Sequence, residues 1–201
     1  MPNSKIVFSL LFGILVLVYS AAKVRNNYEF LFPFTEIIAK FAGKIYFYTT
    51  MKIGDKAPEV LGKDEQGREI RLSDYKGRKL VLYFYPKDNT SGCTAEACSL
   101  RDRFSELQGA GYEVVGVSKD SAASHVKFKE KYELPFPLIA DVDKSLMEAM
   151  GAWGEKTMYG KKTMGTIRTT FIINEEGIIE QIMAGKQIKT KEHAEQILGN
   201  V

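Results

Sequence analysis

Between residue 51 and the C-terminus, the spacing of hydrophobic positions alternates between two periods. Residues 79–85 form a nearly continuous apolar run, the pattern of a central strand that is buried on both faces. Apolar residues then recur three or four positions apart from Ala97 to Leu107, which is one face of a helix. Gly109 and Gly111 end that helix. The pattern therefore predicts a buried strand followed by a single helix.

The same alternation continues along the rest of the chain. Further strands are predicted at 112–117, 136–140, 169–173 and 178–183, and further helices at 121–132, 146–150 and 190–198. The last two strands are joined by Asn174-Glu175-Glu176-Gly177, which is a hairpin signal. Strands alternating with helices, then a hairpin and a closing helix, indicate a three-layer α/β domain. We expect a thioredoxin-like fold with a central mixed sheet flanked by helices.

Residues 1–50 differ from the rest of the chain in charge and composition. They hold 5 of the 28 Lys and Arg residues, 2 of the 25 Asp and Glu residues and 7 of the 12 Phe residues. Residues 51–201 are formally neutral, so the net charge of +3 belongs to the first quarter. We place a domain boundary at Met51, between an apolar N-terminal extension and one α/β domain. A net charge this small argues against a nucleic-acid partner.

The extension contains an apolar run over residues 6–22 that leaves three interpretations open. In a helix with a rise of 1.5 Å per residue this run spans about 25 Å, short of the roughly 30 Å of a hydrocarbon core, and a single membrane anchor is one interpretation of it. Lys5 before the run, with Ser20 and Ala22 near its end, also suits a cleaved export signal. Alternatively, residues 1–50 are a spurious upstream start. Translation from Met51 then predicts a cytoplasmic protein, whereas the first two interpretations predict anchoring or export through residues 1–22.

The two cysteines of the chain lie just after the predicted central strand. Cys93 falls at or just before the first turn of the following helix, where unpaired backbone N–H groups and the positive end of the helix dipole favour a thiolate. Lowering a thiol pKa from about 8.5 to about 6 requires roughly 3.4 kcal/mol. A helix terminus typically supplies about 0.3–1 kcal/mol. A cation or further hydrogen bonds, brought to Cys93 by the fold, must supply the remainder.

Cys98 follows Cys93 by five residues. On an intact helix the two Cα atoms would be about 8.7 Å apart, whereas a disulfide needs about 4.4–6.8 Å. The two sulfurs can therefore join only if the first turns of the helix unwind. A small core residue is the alternative interpretation of Cys98. The Cys-x4-Cys spacing, with both histidines far along the chain, does not suit a zinc site.

The segment around the cysteines resembles the peroxiredoxin Q group, also called bacterioferritin comigratory proteins, which are thiol peroxidases. The Pro-x3-Thr-x2-Cys pattern of Pro86, Thr90 and Cys93 is its most specific part. Residues 54–58, 83–90, 92–94, 96–98, 101–102, 153–156, 159–161 and 168–173 share the resemblance, which extends over essentially all of residues 51–201. Many members have proline where this chain has Ser91, a difference that removes a rigid φ but no reacting atom.

The resemblance implies roles for five residues. Cys93 is expected to be the peroxidatic cysteine and Cys98 the resolving cysteine. The Thr90 hydroxyl is expected to bond the thiolate and orient the peroxide, and Pro86 to shield the pocket. The Arg168 guanidinium is expected to hold both the sulfur and the peroxide oxygen. The resemblance implies no cofactor and no metal.

The resemblance also implies a reaction and its partners. The expected activity is reduction of hydrogen peroxide and organic hydroperoxides through a sulfenic acid on Cys93 and an intramolecular disulfide with Cys98. Thioredoxin is the expected reductant, with glutaredoxin as an alternative. Because both cysteines share one helix, resolution needs no second subunit, and we expect a monomer. A peroxide-sensing or chaperone-like redox partner that uses the same cysteine pair is the alternative function.

Overall fold

The computed structural model describes residues 51–158 and 161–199, so the predicted extension over residues 1–50, with its possible anchor, lies outside the described residues. In chain order the elements are β1 (Val60–Lys63), β2 (Glu69–Arg71), β3 (Lys79–Phe84), α1 (Ser91–Asp102), α2 (Phe104–Gly109), β4 (Tyr112–Ser118), α3 (Ala122–Tyr132), β5 (Leu138–Ala140), α4 (Ser145–Ala149), β6 (Trp153–Met158), β7 (Lys161–Thr166), β8 (Thr169–Ile173), β9 (Ile179–Ala184) and α5 (His193–Leu198). Of the helices that the structure describes, none has the length and apolar content needed to cross a bilayer.

A five-stranded mixed sheet in the order β5-β4-β3-β8-β9 forms the centre of the domain. Strand β3 lies in the middle, parallel to β4 and antiparallel to β8, so that Val81 lies opposite Val114 and Ile172. Strands β4 and β5 are parallel, and β8 and β9 form the predicted hairpin. The thioredoxin-like fold class is therefore confirmed, together with the buried central strand.

Each face of the sheet packs against its own hydrophobic core, because successive side chains of β3 point to opposite faces. Val81, Tyr83 and Tyr85 belong to the core that also contains Cys93 and residues of α1, α3 and α5. The residues between them pack on the other face, against Leu61 of β1 and Leu146 of α4. The start of α1 is thus built into a fully packed core, and Cys93 is part of it.

The structure differs from the sequence prediction at the helix that follows β3. The single predicted helix is divided into α1 and α2 at Arg103, whose φ of −113° and ψ of 20° interrupt the helical backbone. The break lets the Arg103 guanidinium bond both Glu195 of α5 and Glu106 of α2. Apolar spacing continues across the break because both helices pack on the same core, so periodicity alone could not reveal it.

Two antiparallel hairpins were not predicted. Strands β1 and β2 pair before the sheet begins, and β6 and β7 pair apart from it. The β6–β7 segment is rich in Lys, Thr and Gly and lacks the apolar alternation that signals a strand. This hairpin matters for the site because it leads the chain to Arg168, at the entrance to β8.

Candidate active site

Cys93 is the third residue of α1 and lies at the end of the central strand, as the sequence predicted. The chain leaves β3 through a short loop in which Asn89 has a φ of +57° and Thr90 is extended. The Thr94 N–H then donates to the Thr90 carbonyl at 2.8 Å, so the helix begins at Ser91, two residues before Cys93. The Cys93 side chain is 1% exposed and therefore largely excluded from bulk water.

Arg168 is the cation that the fold was expected to bring to Cys93 in addition to the helix terminus. It lies between β7 and β8, and its carbonyl accepts a hydrogen bond from the Gly185 N–H at 2.8 Å. Its Nη2 donates to Cys93 Sγ at 3.2 Å, and its Nη1 donates to Glu96 Oε2. Burial alone would lower the pKa of Arg168, but the charges of Glu96 and Cys93 raise it. The guanidinium is thus a fixed positive charge shared between a thiol and a carboxyl group.

Glu96 is a site residue whose role sequence reasoning missed. It lies three positions after Cys93, on the same face of α1, and is 0% exposed. Burial raises its pKa to about 7 in spite of the adjacent Arg168. The helical spacing from Cys93 was the available signal, because residues at i and i+3 share a helix face.

His193 completes the buried cluster from α5. Its Nε2 lies 2.9 Å from Thr170 Oγ1 and 3.8 Å from Glu96 Oε1. Burial lowers the pKa of His193 to about 4. His193 is 97 positions from Glu96 in the sequence, and local sequence patterns do not predict contacts at that separation. This contact therefore depends on the tertiary fold.

Of the predicted site residues, which all fall in the described part of the chain, only Arg168 has a hydrogen bond to Cys93 Sγ. The Thr90 hydroxyl donates to the Lys87 carbonyl at 3.0 Å rather than to Cys93. Pro86 is half-buried directly after β3. Cys98 is a half-buried free thiol on the same unbroken helix as Cys93, which is also free. The structure therefore brings Arg168 into hydrogen-bond contact with Cys93, whereas Cys98 lies more than one helical turn further along α1.

The loop before α1 is held by a second buried carboxylate, Asp88. It accepts hydrogen bonds from Tyr85 Oη and Ser124 Oγ, each at 2.7 Å, and lies 2.9 Å from His125 Nδ1. Burial alone would raise the pKa of Asp88, but these hydrogen bonds lower it below its usual range. The Asp88 backbone N–H also donates to Asp120 at 2.8 Å. The loop that positions Thr90 and Cys93 is thus tied to β3 and α3.

No metal-binding cluster of three or more His, Cys, Asp or Glu side chains occurs within residues 51–158 and 161–199. The reactive group that the geometry offers is the Cys93 thiol. It is paired with a buried arginine at the start of a helix. On a thioredoxin-like fold, this arrangement defines a thiol-dependent oxidoreductase.

Residues 53–182 match the sequence model of the AhpC/TSA family, and the chain belongs to that family. Peroxiredoxin Bcp of Bacillus subtilis is 45% identical over 149 residues, which are 74% of this chain and 94% of the relative. Peroxiredoxin Bcp of Escherichia coli is 40% identical over 148 residues, again 74% and 94%. The resemblance to the peroxiredoxin Q group is therefore confirmed, and the protein is a peroxiredoxin, an oxidoreductase of the peroxidase class.

Solved structures give the same assignment. The PrxQ of Xylella fastidiosa is 35% identical, with a TM-score of 0.67 over 75% of this chain and 95% of that chain. Peroxiredoxin Q of Xanthomonas campestris is 38% identical, with a TM-score of 0.63 over 68% and 86%. The fold and the family thus agree.

Proposed function

We propose that the protein reduces hydrogen peroxide and organic hydroperoxides, with Cys93 as the peroxidatic cysteine and Cys98 as the resolving cysteine. The observation that carries the proposal is the 3.2 Å hydrogen bond from Arg168 Nη2 to the buried Cys93 Sγ. The guanidinium and the N–H groups of the helix start both place positive charge beside this sulfur. A bacterioferritin comigratory protein of Xanthomonas campestris, 37% identical to this chain, has alkyl peroxide reduction activity, which supports the inclusion of organic hydroperoxides.

In the first step the Cys93 thiolate attacks the terminal oxygen of the hydroperoxide. The O–O bond breaks, an S–O bond forms, and the leaving oxygen takes a proton to give water or an alcohol. Arg168 and the N–H groups at the start of α1 stabilise the negative charge that develops on the leaving oxygen. Cys93 becomes a sulfenic acid, the first oxidised state of a thiol.

Thr90 and Pro86 are proposed to shape the pocket in which this attack occurs. The Thr90 hydroxyl donates to Lys87 and keeps its lone pairs free, so it can accept a hydrogen bond from the peroxide. Pro86 has no N–H donor, and its ring borders the loop directly after β3. Both residues act on the bound peroxide and neither reacts covalently.

In the second step the Cys98 sulfur attacks the sulfenic sulfur, a disulfide forms and water leaves. Both cysteines lie on one continuous helix, so the first turns of α1 must unwind before the sulfurs meet. Oxidation favours this opening because the neutral sulfenic acid loses the charge attraction that held Cys93 to Arg168. A dithiol then reduces the disulfide, and we propose thioredoxin as its source, with glutaredoxin as the alternative.

We further propose that residues 51–201 act as one peroxiredoxin domain and that the protein is a monomer. The relatives from Bacillus subtilis and Escherichia coli match 74% of this chain, in keeping with a domain of this length. If translation starts at Met51, the protein is cytoplasmic. Intact mass from the native source, with the sedimentation of the purified protein, tests these assignments.

Variants of the two cysteines test the mechanism. In a peroxidase assay coupled to thioredoxin and its reductase, Cys93→Ser is expected to abolish turnover. Cys98→Ser is expected to consume one equivalent of peroxide and then stop, because the sulfenic acid forms but is not resolved. Substantial turnover by Cys93→Ser would refute the assignment of Cys93.

A further inference from the structure

Arg168 faces two acidic groups but carries only one positive charge. Its two terminal nitrogens donate to Cys93 Sγ and to Glu96 Oε2, and both partners are almost fully buried. If both acids were ionised, two negative charges would share one cation away from water. An unbalanced buried charge is costly, so a proton is favoured on one of the acids.

The surroundings of His193 indicate where that proton lies. The Gln196 Nε2 donates to the Gln187 carbonyl at 2.7 Å, which fixes the amide and turns its Oε1 toward His193. His193 Nδ1 lies 3.3 Å from this oxygen acceptor and therefore carries the ring proton. The Thr170 hydroxyl, 2.9 Å from Nε2, can donate to it. The network thus assigns a neutral imidazole with the lone pair of Nε2 turned toward the cluster.

Glu96 Oε1 lies near this lone pair. It is buried, has no hydrogen-bond partner among the residues that the structure describes, and lies 3.8 Å from His193 Nε2. An ionised oxygen would be repelled by the imidazole lone pair, whereas a protonated oxygen can, after a small movement, share that lone pair with the Thr170 hydroxyl. The raised pKa of Glu96, about 7, and the lowered pKa of His193, about 4, agree with a proton on the carboxyl group.

The charged and titratable groups around Glu96 come from four elements. They are Cys93 on α1, Tyr83 on β3, Arg168 before β8 and His193 on α5. Burial, followed by the charge of Glu96, raises the pKa of Tyr83 well above its usual value, so this phenol stays neutral. Only Arg168 is a permanent cation, which leaves Cys93 and Glu96 to compete for it.

We infer that Glu96 and His193 form a proton-holding pair that controls how much of the Arg168 charge is available to the Cys93 thiolate. With the proton on Glu96, the guanidinium stabilises the thiolate. When Glu96 loses its proton, the carboxylate competes for the same guanidinium and the thiolate becomes less favourable. Glu96 and His193 are thus positioning residues for Cys93, and the inference rests on the proposed function, in which the thiolate is the nucleophile.

Removing the acceptor of the proton tests the competition. In a Cys98→Ser background, the ultraviolet absorbance of the Cys93 thiolate is followed against pH with and without His193→Leu. Without the Nε2 acceptor the Glu96 carboxyl group ionises at lower pH and competes for Arg168, so the midpoint of thiolate formation should rise by about one pH unit. Adding Glu96→Gln, which cannot ionise, should abolish this rise. A midpoint unchanged by His193→Leu would overturn the inference.

Glu195→Gln is the matched control. Glu195 bonds Arg103 and Ser99 at the same helix interface and has no hydrogen bond to Arg168. It should leave the Cys93 midpoint unchanged. An equal shift in this control would mean that any carboxyl group nearby has the effect, and would also overturn the role of the pair.

Infrared spectroscopy of the reduced, unsubstituted protein detects the proton directly. At pH 6 the carbonyl stretch of a protonated carboxyl group should be present, and it should be absent from Glu96→Gln. His193→Leu should move the band to the position of a carboxyl group without an acceptor. A protein without this band at pH 6 would refute the pair. Neither measurement consumes peroxide, so an enzyme with normal turnover but no band would leave the proposed function intact.

Discussion

Asp88 and Glu96 are buried carboxyl groups eight residues apart, on either side of the reactive cysteine, yet their proton affinities are shifted in opposite directions. Asp88 is surrounded by Tyr85, Ser124 and His125, which together hold it as a carboxylate with a lowered pKa. Within the described part of the chain, Glu96 receives a hydrogen bond from Arg168 alone, and one of its oxygens has no partner there. Burial therefore does not decide the charge of a carboxyl group; the number of donors that face it does.

The difference matches where the two groups lie. Asp88 belongs to a loop that must stay in place, and His125 links it further to β5 through the Ile139 carbonyl at 3.1 Å. Glu96 belongs to the first turns of α1, which must open if Cys93 is to reach Cys98. A fully satisfied carboxylate fixes structure, whereas an incompletely satisfied one responds to the charge of its neighbour.

Of the changes that leave both cysteines in place, removing the shared cation should have the largest effect on activity. We expect Arg168→Met to slow the reaction of Cys93 with hydrogen peroxide by about 10²–10³, since both the thiolate and the leaving oxygen lose their main donor. Rapid-mixing kinetics at pH 7 measure this rate. Arg168→Lys keeps the charge but not the two-pronged geometry and should lose less. A rate for Arg168→Met close to that of the unsubstituted protein would contradict the role of Arg168.

Removing the charge from each carboxyl group should change the free energy of unfolding by different amounts in the two regions. Asp88→Asn breaks a buried, fully paired network and should lower the free energy of unfolding by about 3–5 kcal/mol. Glu96→Gln replaces a group that we expect to be neutral in the folded protein, and at pH 4.5, before ionisation in the unfolded chain favours unfolding, it should change the free energy of unfolding by less than about 1 kcal/mol. Urea unfolding of both variants measures the contrast. Equal losses in the two variants would refute it.

The two regions should also differ in the sign of their pH dependence. The raised pKa of Glu96 contributes stability that is fully present below about pH 4.5 and is lost as the pH rises through about 7, by at most about 3 kcal/mol. The lowered pKa of Asp88 contributes stability that is present above about pH 4 and is lost as the pH falls further.

Subtracting each variant's free energy of unfolding from that of the unsubstituted protein at every pH isolates these contributions. The difference for Glu96→Gln should fall from pH 4.5 to 7, and the difference for Asp88→Asn should fall toward acid pH. Curves that slope in the same direction would be evidence against opposite protonation states.

Thr90 should give the smallest change in stability. Its hydroxyl bonds the Lys87 carbonyl at an exposed position, so Thr90→Val should cost less than about 1 kcal/mol. Any loss of peroxide rate in this variant then reflects the proposed contact with the peroxide, and Thr90→Ser, which keeps the hydroxyl, should restore it. If Thr90→Val reacts at the original rate, Thr90 has no part in orienting the peroxide.

The strands and helices with strong periodicity could be predicted from the sequence. The central strand, the strand Thr169–Ile173 and the helix that follows Ser121 lie where the pattern predicted them, and Ser121 Oγ accepts from the Ser124 N–H as an N-cap. The polar β6–β7 hairpin could not be predicted because its pairing gives no hydrophobic signal. The position of Cys93 at a helix start followed from local sequence alone.

The rest of the site depends on contacts between distant parts of the chain. Local sequence indicated that Cys93 needs a cation but could not identify it, and the family resemblance supplied Arg168. Neither argument predicted the contact between Glu96 and His193. That contact arises because α1 and α5 pack on the same face of the sheet, which the one-dimensional pattern does not encode.

The most direct test of the account is the product that one equivalent of hydrogen peroxide gives with the fully reduced protein. Free thiols and intact mass are recorded within seconds of mixing. The account predicts that both thiols disappear and that the mass falls by two hydrogens, as a Cys93–Cys98 disulfide requires. Added oxygen with one thiol left, or no reaction on that timescale, would contradict resolution by Cys98 or activation of Cys93, respectively.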